Sequence, residues 1–124
     1  MAIQLKRVYA AAEANDGYRI LVDRLWPRGV SKELAQVDCW LKEIAPSTAL
    51  RQWFGHDPAK WLEFRQRYFL ELNSKPQLVA ELNAYLKRGQ VTLVYGAKGT
   101  EHNDAVALQE YLAALLRKAN QRKK

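Results

Sequence analysis

Apolar positions along the chain recur first with a period of two, then with a period of three to four, then with two again. Ile3 to Tyr9 alternates enough to form a strand, and Tyr18-Arg19-Ile20-Leu21-Val22 reads as a second, largely buried strand. Between them Asn15-Asp16-Gly17 supplies turn chemistry. So short a link favours a hairpin, because a parallel crossover normally takes about a dozen residues. The helical period begins at Ser31, which can cap a helix with Leu34, Val37, Leu41 and Ile44 on one face and Pro46 as its stop. Ser47 caps a shorter helix carrying Leu50, Trp53 and Phe54, closed by Gly55. Asp57-Pro58 then places a cap before a proline at the first helical position. The helix that follows, to about Asn73, carries Trp61, Phe64, Tyr68 and Leu72 as a stripe. Lys75-Pro76 restarts a helix with Leu78, Val79, Leu82 and Leu86 inside, ended by Gly89. Val91-Thr92-Leu93-Val94-Tyr95 is the third strand. A last helix runs from His102 or Asn103 to about Lys118, with Ala105, Leu108, Leu112 and Leu115 inward.

This order predicts a small single α/β domain over residues 1–119, its sheet of about three strands mostly parallel and covered by helices. The second and third strands are joined by a long helical crossover and should run parallel. Residues 120–124 form a basic C-terminal tail. Hydrophobic content of 48% and charged content of 27% are ordinary for a globular chain of 124 residues, which buries about two-thirds of its unfolded surface. No apolar run approaches the ~18 residues of a membrane span, so no membrane partner is expected. Met1-Ala2-Ile3-Gln4-Leu5-Lys6-Arg7 lacks the apolar region of a signal peptide. A single cysteine, Cys39, cannot close an internal disulfide, which fits a reducing, cytoplasmic location. Lying beside Trp40 in the helical pattern, it reads as a packed small hydrophobe.

Net charge is +7 and the pI is near 9.7. Part of that charge is Arg117, Lys118, Arg122, Lys123 and Lys124 at the C-terminus, a solvated end or an attraction to phosphate polymers. No zinc finger, RNA-binding aromatic signature or basic zipper accompanies it. Also absent are the dinucleotide fingerprint, the Walker A sequence and the Gly-x-Ser-x-Gly elbow.

Candidate chemistry gathers after the second and third strands, where ligands of open α/β sheets sit. Asp23, Arg24, Trp26 and Arg28 follow the second strand, with Pro27 and Gly29 shaping the backbone. Arg24 and Arg28 can form a fork for phosphate or carboxylate, or else neutralise Asp23 in a self-satisfied loop. Asp23 can orient an arginine, bind a metal or act as a base. Trp26 either wedges into the core or offers a stacking face. Lys98, Glu101, His102 and Asn103 follow the third strand, so an anion there would meet Lys98, the arginines and the amides of the last helix together. The plainer alternative makes Asn103 an N-cap and His102 a loop residue. His56-Asp57 extends the site if the Trp53-Phe54-Gly55 corner folds over it; otherwise Asp57 is a helix cap and His56 a turn donor.

Taken together, Val22-Asp23-Arg24-Leu25-Trp26-Pro27-Arg28-Gly29, Trp53-Phe54-Gly55-His56-Asp57-Pro58 and Leu93-Val94-Tyr95-Gly96-Ala97-Lys98 with Glu101-His102-Asn103 resemble, in order and spacing, the DUF488 family in its short, YeaO-like branch. The resemblance runs from about Val8 to Leu115. It implies an α/β fold and brings no reaction or cofactor with it.

The residues themselves leave three function classes open. In the first, an enzyme acts on a phosphate ester or phosphodiester: Arg24, Arg28 and Lys98 hold the phosphate. Asp23 and His102, with Glu101, supply a base or a site for Mn²⁺ or Mg²⁺ suited to hydrolysis or nucleic-acid cleavage. In the second, a non-catalytic nucleic-acid or nucleotide-binding module uses the same basic cleft plus the tail, with Trp26, Asn103 and His56 as further ligand contacts. The third is a protein-binding domain with core tryptophans and paired arginines.

Overall fold

The structure, a computed structural model, describes residues 3–122, with side chains described as far as Lys118. Its strands are β1 (Ile3–Arg7), β2 (Tyr18–Leu21), β3 (Cys39–Trp40) and β4 (Val91–Tyr95). The helices are α1 (Lys32–Ala35), α2 (Thr48–Phe54), α3 (Trp61–Asn73), α4 (Pro76–Arg88) and α5 (Asp104–Arg122). The strands form one sheet in the order β1-β4-β2-β3, and every pairing is parallel.

The expected hairpin is therefore absent. β4 lies between β1 and β2, with Ile3 and Tyr18 both opposite Val91. The link 8–17 returns over one face of the sheet with its Ala14–Asp16 turn of 3₁₀ helix, and polar bonds anchor it there. The side chain of Asp16 accepts from Lys6 Nζ at 2.9 Å and from Arg19 Nη1 at 2.6 Å, while the Thr92 hydroxyl donates to the Asp16 carbonyl at 2.7 Å. A crossover this compact holds because strands of four and five residues need little chain to retrace.

The second correction concerns the helix expected from Ser31 to Ile44. Ser31 does cap it, accepting from the Leu34 amide, but Gln36 turns left-handed at φ 46° and ends it after one turn. The chain then joins the free edge of β2: the Asp38 amide donates to the Arg19 carbonyl at 2.8 Å and Leu41 N–H to the Leu21 carbonyl at 2.9 Å. Cys39, expected in a helix, sits instead in this fourth strand. Leu41 and Ile44 reach the core, whereas Leu34 stays 71% exposed. Hydrogen-bonding groups on a sheet edge outweigh helix periodicity here, since an unpaired buried edge is costly.

The remaining helices form where expected. Ser47 Oγ caps α2 on Leu50 N–H, and Gly55 closes it in the left-handed region at φ 54°. Asp57 accepts from the Ala59 amide ahead of Pro58. Phe64, Tyr68 and Leu72 from α3, Val79, Leu82 and Leu86 from α4, and Ala105, Leu108 and Leu112 from α5 share one core with Ile20, Val91 and Leu93 of the sheet. The opposite sheet face carries a thinner cluster of Val8, Leu21, Ala35 and Val94 under Trp26, Val30 and Val37. α5 runs to Arg122, so the expected tail is in part helical, and Lys123 and Lys124 lie outside the described residues. No described helix is long and apolar enough to cross a membrane.

Candidate functional site

Because β2 and β4 are parallel neighbours, their carboxyl ends share an edge, and the first residues beyond them meet. Asp23 Oδ2 accepts a 2.8 Å hydrogen bond from the Gly96 amide. Gly96 suits that approach: a Cβ there would stand 3.2 Å from Asp23 Oδ2 and 3.7 Å from Pro27 Cβ. Beside this contact opens a cleft of about 520 Å³, within the range of small-molecule sites. α2 contributes Thr48, Arg51, Gln52 and Phe54, the chain after β2 gives Asp23, Arg24 and Leu25, and the loop and start of α5 add Ala97, Asn103 and Asp104; His56 and Phe64 complete the wall.

Its chemistry is bipolar. Asp23 and Asp104 lie close enough for each carboxyl to act on the other's titration. Burial pushes Asp23 above the ordinary carboxyl range, offset in part by the Gly96 amide, by Asp104 and by the Arg51 guanidinium. Burial also drives Asp104 up, well above that range, and the neighbouring Asp23 adds to it. The Arg51 guanidinium, at the same opening, has no hydrogen-bond or ion-pair partner among the described residues, while its charge acts on both acids. Phe54 and Phe64 stack on each other at 4.3 Å between centroids and are buried in the core, 5% and 2% exposed, so neither ring presents a free face to the cleft. His56 holds φ 59°, a left-handed backbone rare outside glycine, beside Phe54.

The acid pair has a measurable consequence. A carboxyl whose folded pKa is raised contributes stability below its unfolded value, ~3.9 for Asp, and that contribution disappears as pH rises through the folded value. At neutral pH and above, the pair opposes folding. Asp104→Asn keeps a donor to Asp23 and removes one charge. It should therefore melt higher than wild type at pH 8, with the gain shrinking toward pH 4; equal gains at both pH values would show that removal of the Asp104 charge is not what raises Tm.

The other residues singled out by sequence are distributed around this cleft. Arg24 lines it, but its guanidinium is engaged by the carbonyls of Pro46 at 3.3 Å and Ala45 at 3.2 Å and by Glu43 at 3.6 Å. Arg28 is exposed and outside the cleft, with its carbonyl accepting from the Tyr9 hydroxyl. Trp26 is half-buried against the thinner cluster, edge-on to Trp40 at 5.4 Å, and its indole N–H donates to the Val30 carbonyl. Asn103 lines the cleft while capping α5: Oδ1 accepts from Val106 N–H and Nδ2 donates to the Gly99 carbonyl. Lys98, Glu101 and His102 are exposed and do not line it; His102 rests on Trp61 at 5.0 Å. Among the described residues no three His, Cys, Asp or Glu side chains gather as a metal ion needs. Asp23, Glu101 and His102 thus form no such cage.

Sequence reasoning missed Asp104, Arg51, Thr48 and Gln52. Asp104 was one residue beyond the last motif, at the first turn of a helix where an acid reads as ordinary dipole compensation. Thr48, Arg51 and Gln52 show a signal in their spacing of three and four, which puts them on one helix face, polar and exposed.

The family model described as "Inactive DUF488-N3 subclade" matches residues 2–124. The chain belongs to the DUF488 family. It is similar to the uncharacterised protein YeaO of Escherichia coli K12, 47% identical over 115 residues that cover 93% of this chain and 100% of YeaO. An uncharacterised protein of Mycobacterium tuberculosis H37Rv is 38% identical over 110 residues, covering 89% of this chain and 92% of that protein. No solved structure matches this DUF488 chain. The subclade's description lends no support to catalysis, and neither Glu101 nor His102 lines the cleft.

Proposed function

We propose that this chain is a non-catalytic binding module whose cleft takes a nucleotide, with Arg51 holding the phosphate. The observation that carries this reading is the unengaged Arg51 guanidinium on a cleft that apolar side chains also line. Guanidinium matches phosphate oxygens in a planar fork, and apolar walls with a few convergent polar groups suit a base. Thr48, one turn before Arg51 on α2, and Gln52, the residue after it and one turn beyond Thr48, also line the cleft and carry groups that can donate to the same phosphate or to a ribose. The reading of metal-assisted phosphodiester hydrolysis has less support, since only Asp23 of its acid–base set lines the cleft. The net charge of +7 would draw nucleic acid as well as free nucleotides toward the protein.

Arg51→Ala tests the assignment. Mononucleotide affinity measured by calorimetry should fall about 10-fold or more, the scale for losing a charge-assisted contact, while Tm moves little because Arg51 supports no described side chain. Undiminished affinity would remove the phosphate from this end of the cleft. An oligonucleotide whose binding fades steeply with salt while mononucleotides fail to bind would replace the cleft by a generic basic surface.

A further inference from the structure

We infer that a basic, aromatic strip beside the cleft, formed by Arg7, Tyr9, Arg28 and Lys98, carries single-stranded nucleic acid, and that a nucleotide in the cleft is one residue of such a strand. The second half of this rests on the nucleotide reading of the cleft; the first stands on the strip itself. The strip follows from the topology. β1, β4 and β2 are parallel neighbours, so the chain leaving each of them emerges at one edge of the sheet. Arg7 ends β1, Lys98 stands in the loop after β4, and Arg28 in the loop after β2. Hydrogen bonds and a stacking contact tie the three exits together. Arg7 Nε donates to the Ala97 carbonyl at 2.9 Å, and Arg7 Cζ lies over the Tyr9 ring, 5.1 Å from its centre. The Tyr9 hydroxyl in turn donates to the Arg28 carbonyl at 2.9 Å. Ala97 also lines the cleft, so strip and cleft meet at that residue.

Charge and exposure give the strip its chemistry. Arg28 and Lys98 are exposed, and none of Arg7, Arg28 and Lys98 has a carboxylate partner among the described residues. The acids of the link between β1 and β2 are already engaged, Glu13 by Lys6 and Asp16 by Lys6 and Arg19, so neither is free to repel a phosphate there. Tyr9 is 50% exposed although its hydroxyl is bonded and a guanidinium lies over its ring. A ring held in this way and still open to solvent is a platform for a base, and such stacking is sequence-tolerant because every base has a π-face. In a duplex the bases are stacked on one another and offer the ring nothing. A single strand is therefore the form that uses cations and ring together, whereas a mononucleotide brings one phosphate to three cations.

The test is fluorescence anisotropy of the full chain with labelled oligothymidine and oligouridine strands of about eight nucleotides, within the usual site size. A duplex of the same length, the matching mononucleotides and polyglutamate serve as competitors. A strand should bind at least about 10-fold more tightly than its mononucleotide or the duplex, and the tighter of the two strands identifies the ligand as DNA or RNA. Arg28→Gln combined with Lys98→Gln should lower strand affinity about 10-fold and flatten the log–log salt slope by about 1.4, the loss of two phosphate contacts. Mononucleotide affinity should stay unchanged, since neither residue lines the cleft. Tyr9→Leu should cost about 5-fold or more, while Tyr9→Phe, which keeps the ring, should stay within about twofold; melting curves check the fold of each variant. A strand that binds no better than its mononucleotide overturns the inference and leaves the nucleotide reading standing. Equal binding of the duplex, or equal competition by polyglutamate of matched charge, overturns it by making the strip a general polyanion surface. Strand affinity unchanged in all variants overturns it by moving the strand elsewhere. Strand binding that depends on the strip while mononucleotides fail to bind supports the strip and removes the nucleotide from the cleft.

Discussion

Asp16→Asn is expected to cost about 3 kcal/mol of stability, a fall in Tm of roughly 10 °C. Asp16 is 1% exposed, and its two carboxylate oxygens face Lys6 Nζ on one side and Arg19 Nη1 and the Glu13 amide on the other. Arg19 is itself 3% exposed, its remaining donors fixed on the carbonyls of Ala35 at 2.7 Å and Gln36 at 3.1 Å. An asparagine keeps the shape but must turn its NH₂ toward either the ammonium or the guanidinium, donor against donor, and leaves a buried cation uncompensated. The pH dependence identifies the cause. Burial alone raises the Asp16 carboxyl, yet Lys6, the Glu13 amide and Arg19 together hold it below its usual range. A depressed carboxyl contributes stability above its unfolded pKa of ~3.9 and loses it as pH falls through the folded value. Wild type and variant should therefore differ most above about pH 5 and converge in more acid solution. Chemical denaturation across that range measures it, and a constant difference would mean that shape rather than charge is at stake.

Gly17→Ala should be comparably severe, about 2–4 kcal/mol, from strain and collision together. Gly17 sits at φ 68°, ψ −138°, a region side chains rarely enter. A Cβ there would lie 2.3 Å from the Gln90 carbonyl oxygen and 2.8 Å from Gln90 Cβ. That same carbonyl accepts the Tyr18 amide at 2.9 Å, the first bond between β2 and the chain entering β4. Relief of the collision means separating the two strands at the centre of the sheet. Gly99→Ala is the control: nothing lies within 4 Å of its added Cβ, and its effect should stay within about 0.5 kcal/mol. Equal Tm values for the two variants would show that the close approach at Gly17 yields without cost.

Both predictions concern a link whose sequence reads differently from its structure. Asn15-Asp16-Gly17 is turn chemistry, and a turn does form, but local chemistry is the same for a hairpin and for a compact parallel crossover. What separates them is whether β4, distant in sequence, enters between β1 and β2. The half-buried Lys6 and the buried Arg19 give Asp16 its meaning, and no spacing rule links the three. The site shows the same division. Asp23 was legible as an acid at the end of a buried strand, and its approach to the loop after β4 followed once the two strands were parallel. Arg24 and Arg28, alike in sequence, diverge in space because the carbonyls of Ala45 and Pro46 capture one of them.

Sequence by itself determined the elements whose hydrophobic period is long enough to average out local exceptions: α3, α4, α5 and β4, together with the caps Ser47, Asp57 and Asn103 that start helices through their own side chains. It also brought the carboxyl ends of β2 and β4 to one edge, once the long crossover made them parallel. Only the tertiary structure decided the strand order, the conversion of the segment after Gln36 into an edge strand, and the meeting of Asp23, Asp104 and Arg51 at one cleft. The physical reason is common to all three. Periodicity and capping are energies between neighbours in sequence, whereas a strand's partner, a carboxyl's proton and a guanidinium's freedom depend on groups that only packing brings together.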